Sequence, residues 1–198
     1  MPEKLLLVID VQNDFCPGGS LEAKNGDFII PVINYILTDY AWVIFTRDWH
    51  PADHLSFASQ HPGKKPFDIG EVGGRPQRLW PNHCVKGTTG AMFHPQLKIP
   101  PHCLVVHKGM DKNKECYSAF YDCTGEATEL THMLQEGWAQ DYKEFDVCGL
   151  TTDYCVKESV FDALKLGYKV RVLGQGVQAV NPDTDALEDM RAAGATID

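Results

Sequence analysis

Within this chain of 198 residues, the segment Gly149-Leu150-Thr151-Thr152-Asp153-Tyr154-Cys155 sets a thiol where a nucleophile could work. The run Phe145 to Leu150 reads as a buried strand, and Val156, Val160, Ala163 and Leu164 then recur at helical spacing until Gly167. Cys155 is therefore expected in the first helical turn, where unpaired backbone N–H groups and the positive end of the helix dipole favour a thiolate. A buried cysteine after a strand is also ordinary packing material, so its neighbours must decide its role.

A cysteine amidohydrolase needs a proton acceptor beside the thiol, a group that holds the charges in place, and donors for a developing oxyanion. Asp10 ends the apolar run Leu5 to Ile9 and suits the base. Lys108 follows Leu104-Val105-Val106-His107, and its charge would orient Asp10 and favour the thiolate. Singly, a turn-capping aspartate and a surface lysine are the commoner uses of these residues. Together with Cys155 they make three reactive types at three strand ends.

A second constellation has metal-ligand character. Asp48-Trp49-His50-Pro51-Ala52-Asp53-His54 places an Asp and a His two residues apart, and Trp80-Pro81-Asn82-His83 adds a His on a proline-stiffened turn. Asp48, His50 and His83 are the proposed ligands: one carboxylate and two imidazoles leave positions open, as in a catalytic site. His54 is either a fourth ligand or a residue behind them. The bare Asp-x-His pattern is weak, since eight histidines produce such pairs by chance. His61, His94, His102 and His132 lack comparable context and are assigned surface or structural roles.

The elements that must carry these residues are strands at Leu5 to Ile9, Trp42 to Phe45, Leu104 to Val106, Val147 to Leu150 and Val170 to Leu173. Helical patterns span Ile29 to Leu37, Ala127 to Glu136, Tyr154 to Leu166 and Thr184 to Ala193. Near-continuous apolar strands alternating with helices predict a doubly wound α/β fold, a mainly parallel sheet with helices on both faces. Ligands bind such sheets beyond the carboxyl ends of the strands, where Asp10, Asp48, Lys108 and Cys155 all fall. The Pro- and Gly-rich stretch from Pro51 to Pro101 is expected as a loop region capping that edge. One domain over 1–198 is expected, with a loop-rich metal-site and cap segment at about 48–101.

Composition narrows the partners. With 43% hydrophobic and 23% charged residues the chain suits an ordinary globular protein, and a net charge of −9 speaks against a nucleic-acid or basic membrane-binding surface. Seven scattered cysteines without a C-x-x-C pair argue against a disulfide framework and for a reducing compartment. No run has membrane-spanning length and the N-terminus carries no signal-peptide pattern, so the expected location is cytoplasmic.

These segments carry a family resemblance. Asp10-Val11-Gln12-Asn13-Asp14-Phe15, Asp48-Trp49-His50-Pro51, Leu79-Trp80-Pro81-Asn82-His83-Cys84, His107-Lys108-Gly109 and Gly149 to Val156 resemble, in order and over almost the whole chain, the nicotinamidase (pyrazinamidase) branch of the isochorismatase-like cysteine hydrolases. The metal segments are specific to that branch. The resemblance implies a Rossmann-like three-layer fold, a triad of Asp10, Lys108 and Cys155, and metal ligands Asp48, His50 and His83. It also implies a cis bond between Leu150 and Thr151, an oxyanion hole from the Thr151 and Cys155 amides, and aromatic substrate walls at Phe15, Trp80 and Tyr117. The implied reaction turns nicotinamide into nicotinate and ammonia through a thioester, in NAD salvage. The implied cofactor is one divalent transition metal, zinc first, with iron and manganese also suited. Nicotinamide is the expected small-molecule partner, and a homo-oligomer is left open.

One departure is visible: the chain reads Leu173-Gly174-Gln175-Gly176-Val177-Gln178-Ala179-Val180 where the family often carries an Asp-Ala-(Cys or Thr)-Arg-Gly segment. It touches no proposed catalytic residue. The rivals are a carbamoyl or ureido amidohydrolase of the same superfamily, expected to use cations rather than a metal site, and a non-catalytic metal-binding protein that keeps the fold.

Overall fold

The structure is a computed structural model that describes residues 4–101, 103–136 and 141–198. The expected apolar runs form β1 (Leu5–Ile9), β2 (Trp42–Asp48), β5 (Leu104–Lys108), β6 (Glu144–Leu150) and β7 (Lys169–Gln178), and a two-residue β8 (Thr196–Ile197) closes the edge. Helices α1 (Ile29–Ile36), α2 (Glu129–Glu136), α3 (Lys157–Lys165) and α4 (Ala186–Ala192) lie between them. The six strands pair in the order β5-β2-β1-β6-β7-β8, every ladder parallel.

This arrangement follows from β1, whose five residues are all fully buried. Alternating side chains serve two cores. Leu5, Leu7 and Ile9 pack with Leu130, Val160, Ala163 and Met190 from α2, α3 and α4. Leu6 and Val8 pack on the other face with Ile29, Ile30 and Ile33 of α1. From β1 the chain builds outward through β2 and β5, then returns to pair β6 on the other side of β1. The β1/β6 junction is thus the topological switch point, where a doubly wound sheet opens a crevice at its carboxyl edge. Gly149 permits the close approach there: a Cβ at this residue would lie 2.0 Å from the Ile9 carbonyl oxygen, and its φ is +118°.

The stretch from Pro51 to Pro101 differs from the loop expected of it. It contains an antiparallel hairpin, β3 (Ile69–Val72) and β4 (Arg75–Arg78), turning at Gly73 and Gly74, which both have positive φ. The Gly-Gly pair is the local signal for such a turn, but strands of four mostly exposed residues carry no apolar alternation. The helix expected from Tyr154 also begins differently: Thr152–Val156 forms a wide π turn, with Val156 N–H bonded to the Thr151 carbonyl at 3.1 Å, before α3 proper. All seven cysteines are free thiols. Among the described residues no helix is long and apolar enough to cross a membrane. His102 lies outside the described residues.

Candidate active site

The carboxyl ends of β1, β5 and β6 bring Asp10, Lys108 and Cys155 together, all buried. Asp10 adopts a φ of 45°, sparsely populated for a residue with a side chain. It is held by Thr46, whose Oγ1 accepts from the Asp10 N–H at 3.2 Å and donates to Asp10 Oδ1 at 2.6 Å. Lys108 Nζ lies 2.9 Å from Asp10 Oδ2 and donates to the Cys116 carbonyl at 3.1 Å, to Cys155 Sγ at 3.4 Å and to Asp48 Oδ1. The lysine is the hub of the site.

Burial and charge at this hub act in opposite directions on the nucleophile and its base. Burial pushes the Cys155 thiol well above its ordinary range; Lys108 opposes this, while Asp10 and Asp48 add to it. The resting sulfur is held towards the neutral thiol chiefly by its burial, with two carboxylates sharing the one ammonium beside it. Asp10 is complementary: burial raises its pKa from 3.8 to about 6, against the pull of Lys108. A carboxylate tuned towards neutrality beside a protonated thiol is a base matched to its acid. Burial also opposes ionisation of Asp48, but Lys108 and His50 outweigh it and hold this carboxyl well below its usual range.

Asp48, His50 and His83 form the second group, all buried, with potential ligand atoms within 4.8 Å of one another. His50 Nδ1 donates to the Gly109 carbonyl and His83 Nδ1 to the Pro81 carbonyl, each at 2.8 Å. Since a carbonyl only accepts, both rings donate through Nδ1 and turn Nε2 inward. His50 Nε2 is buried without a hydrogen-bond partner, 3.6 Å from Asp48 Oδ2. An orphaned imidazole nitrogen facing an ionised carboxylate and a second imidazole suits a divalent transition metal. Burial, then the charge of His50, lowers His83 to about 4, so that ring stays neutral as a ligand must. Asp10, Asp48 and Cys155 also approach one another closely, but the Lys108 ammonium already sits among them.

His54 is buried against His50 with ring centroids 4.3 Å apart, yet its nitrogens are engaged elsewhere, Nδ1 with Ser56 Oγ at 2.7 Å and Nε2 with the Lys114 carbonyl at 3.2 Å. The bond between Leu150 and Thr151 is cis. Thr151 and Cys155 line one cleft together with Phe15, Trp80 and Tyr117. His83 closes its metal side, with its ring 5.6 Å from Phe15.

Several residues of the site were not singled out from the sequence. Tyr154 stands edge-on to Trp80 at 4.8 Å and lines the cleft; its place beside the nucleophile was the available signal. Thr46 was readable too, two residues before Asp48 on the same face of β2. Gln12 is fully buried, its amide bonding both backbone groups of Asp48 at 2.8 Å. Glu115 is a buried carboxylate on the cleft with Oε2 unpartnered. Nothing in their flanking residues marked Gln12 or Glu115.

Comparison with known proteins is consistent with this geometry. A family model described as Isochorismatase domain matches residues 4–197. A nicotinamidase of Escherichia coli is 43% identical over 208 aligned positions, covering 100% of this chain and 95% of that protein. The yeast nicotinamidase bound to the inhibitor nicotinaldehyde superposes with a TM-score of 0.89 at 31% identity, covering 98% of each chain. The pyrazinamidase of Pyrococcus horikoshii in complex with zinc superposes with a TM-score of 0.81 at 35% identity, covering 100% of this chain and 99% of that one.

Proposed function

The chain belongs to the isochorismatase family and to its nicotinamidase branch, and on that premise we propose that it hydrolyses nicotinamide to nicotinate and ammonia with Cys155 as nucleophile. The observation that carries the reading is Lys108 Nζ, 2.9 Å from Asp10 Oδ2 and 3.4 Å from Cys155 Sγ, behind a cleft that Cys155 lines together with aromatic rings.

Phe15, Trp80, Tyr117 and Tyr154 take the flat pyridine ring and leave its carboxamide over Cys155. As the sulfur bonds to the amide carbon, its proton passes to Asp10, and the oxygen becomes an oxyanion accepted by the Thr151 and Cys155 amides. Asp10 returns the proton to the nitrogen, the C–N bond breaks, and ammonia leaves a thioester. Water then attacks the same carbon with its proton going to Asp10. The C–S bond breaks, Asp10 returns its proton to the sulfur, and the acid departs as nicotinate, its own proton passing to solvent or to the released ammonia. Throughout, Lys108 stays charged and holds Asp10 beside the sulfur.

Asp48, His50 and His83 would hold one divalent metal, zinc first, which supplies a Lewis-acidic anchor for the ring nitrogen. The zinc complex of the Pyrococcus horikoshii pyrazinamidase supports this choice. His54 backs His50 by ring packing rather than by ligation. The biological role that follows is NAD salvage. A carbamoyl substrate with a free carboxylate is disfavoured, because none of the described residues lining the cleft is a lysine or arginine.

Ammonia release from nicotinamide by metal-replete protein, measured beside Cys155→Ala, tests the assignment. Release that the substitution abolishes supports substrate and nucleophile together. No release by folded, metal-loaded wild type discards the nicotinamide reading, and release retained by Cys155→Ala discards the thiol.

A further inference from the structure

Tyr117 is a partition. On one side it lines the cleft that holds Cys155; on the other it lines a cavity of about 570 Å³, bordered also by Arg75, Gln77, Tyr121, Glu158 and Lys165. The two spaces share Tyr117 and Glu115. A ring with open volume behind it can swing, and a swing here would merge the narrow cleft with the wide one.

What holds the ring is its oxygen. Tyr117 Oη accepts from Trp80 Nε1 at 2.9 Å and from Gln77 Nε2. The second hydrogen of the Gln77 amide goes to the Arg78 carbonyl at 3.2 Å, so both donors of that amide are used and its plane is fixed. Trp80 is buried, and its indole N–H would lose its acceptor if Tyr117 moved. Trp80, Tyr117 and Tyr154 touch pairwise, with centroid separations of 6.3, 4.8 and 5.6 Å, so fixing Tyr117 fixes a three-ring wall.

Gln77 is an outlier on its strand. Its β4 neighbours Arg75, Pro76 and Arg78 are exposed, whereas Gln77 is half-buried and turned to the wall. The hairpin is anchored beside the site by a small cluster of Val72, Leu79 and Ala58, which leaves Gln77 at a set distance from Tyr117.

We propose that Gln77 is a specificity-determining positioning residue: it bolts Tyr117 across the boundary between the substrate cleft and the outer cavity, restricting the cleft to small single-ring amides. The inference rests on the nicotinamide reading for its substrate and on the hydrogen bonds for its geometry. Gln77 does not touch the reacting atoms and acts only through Tyr117.

The test compares wild type, Gln77→Ala, Gln77→Met, Tyr117→Phe and the Gln77→Met/Tyr117→Phe double variant. Gln77→Met keeps the length of the side chain and removes the donor. Steady-state kinetics use nicotinamide and a nicotinamide bearing a bulky ring substituent, and ¹⁵N-indole NMR follows exchange of the Trp80 N–H. The bolt predicts for both Gln77 variants a KM for nicotinamide raised about three- to tenfold with kcat changed less than about twofold, and a reduced preference for nicotinamide over the substituted amide. It also predicts that Gln77→Met adds no further effect to Tyr117→Phe, the signature of two residues acting through one bond, and that Trp80 N–H exchange is accelerated in the Gln77 variants. Wild-type KM, preference and exchange in Gln77→Met overturn it, as does a Gln77 effect that adds in full to Tyr117→Phe. The exchange readout needs no turnover. An inactive wild type with accelerated exchange in Gln77→Met therefore discards nicotinamide and keeps the bolt, whereas an active wild type with unchanged exchange does the reverse.

Discussion

The Lys108 ammonium donates to Asp48 Oδ1 while the other oxygen of that carboxylate faces His50 Nε2 at 3.6 Å. One carboxylate thus belongs to both groups, as an oxygen of the metal set and as counter-ion of the lysine that holds the base. Gln12 fixes it by bonding its backbone N–H and C=O, so the β1 end and the β2 end move as one piece.

Asp48→Asn should consequently damage two functions at once. The metal set loses its only carboxylate, and Lys108 loses one of its two anionic partners. Metal content by elemental analysis should fall well below one per chain, and kcat/KM should drop on the order of 10²-fold or more. Activity restored in full by excess metal would show that Asp48 serves the metal alone.

Cys155→Ala should reduce ammonia release by on the order of 10⁴-fold or more, since a nucleophile and its base act as a unit. Hydroxylamine added to the wild type should divert the acyl group to a hydroxamate. No hydroxamate alongside rapid hydrolysis would remove the thioester from the mechanism.

The pH profile follows from Asp10. To take the thiol proton, Asp10 must be ionised, and its pKa is raised to about 6, chiefly by burial. kcat/KM should therefore be level above neutrality and fall about tenfold per pH unit below about pH 6. The bond from Thr46 favours the ionised form, so Thr46→Val should move the limb to higher pH. A flat profile between pH 5 and 8 would rule Asp10 out as the base.

Asp153 ties the nucleophile turn to the segment after β7. Its carboxylate accepts the Val180 N–H at 3.1 Å and the Asn181 N–H at 2.9 Å, and Val180 lines the cleft. This gives the unusual stretch Leu173 to Val180 a definite neighbour. Asp153→Ala strands two donors and should cost about 2–4 kcal/mol, visible as a melting point lower by roughly 5–15 °C. A thermal melt within a degree of wild type would show that the turn holds without it.

The reactive residues were legible because strand ends are legible: Leu5 to Ile9 and Phe145 to Leu150 announce where Asp10 and Cys155 must stand, whatever the rest of the chain does. The hairpin carrying Gln77 was not, because Ile69–Val72 and Arg75–Arg78 are held by a turn and a few contacts rather than by an apolar face. At Cys155 a local and a tertiary influence oppose each other. The helix start is a local property visible in sequence and favours the thiolate, whereas the burial that pushes the thiol up comes from tertiary packing, with Asp10 and Asp48 adding to it and Lys108 opposing it. Glu115 and Gln12 are polar side chains buried by tertiary packing alone, which no local pattern records.

Gly109 carries the last prediction. It follows Lys108 with a φ of +65°, and its carbonyl fixes the His50 ring through Nδ1 at 2.8 Å. A Cβ there would lie 2.4 Å from His50 Cε1 and 2.6 Å from Nδ1, closer than non-bonded atoms come. Gly109→Ala must therefore both strain the backbone, by about 1–3 kcal/mol, and push the imidazole out of line with Asp48 and His83. Zinc affinity measured by competition with a chelating dye should weaken about 10- to 100-fold, while excess zinc recovers part of the lost kcat because Cys155, Asp10 and Lys108 are not displaced. Wild-type zinc affinity in Gly109→Ala would mean that His50 tolerates a displaced ring and is not a ligand held by that carbonyl.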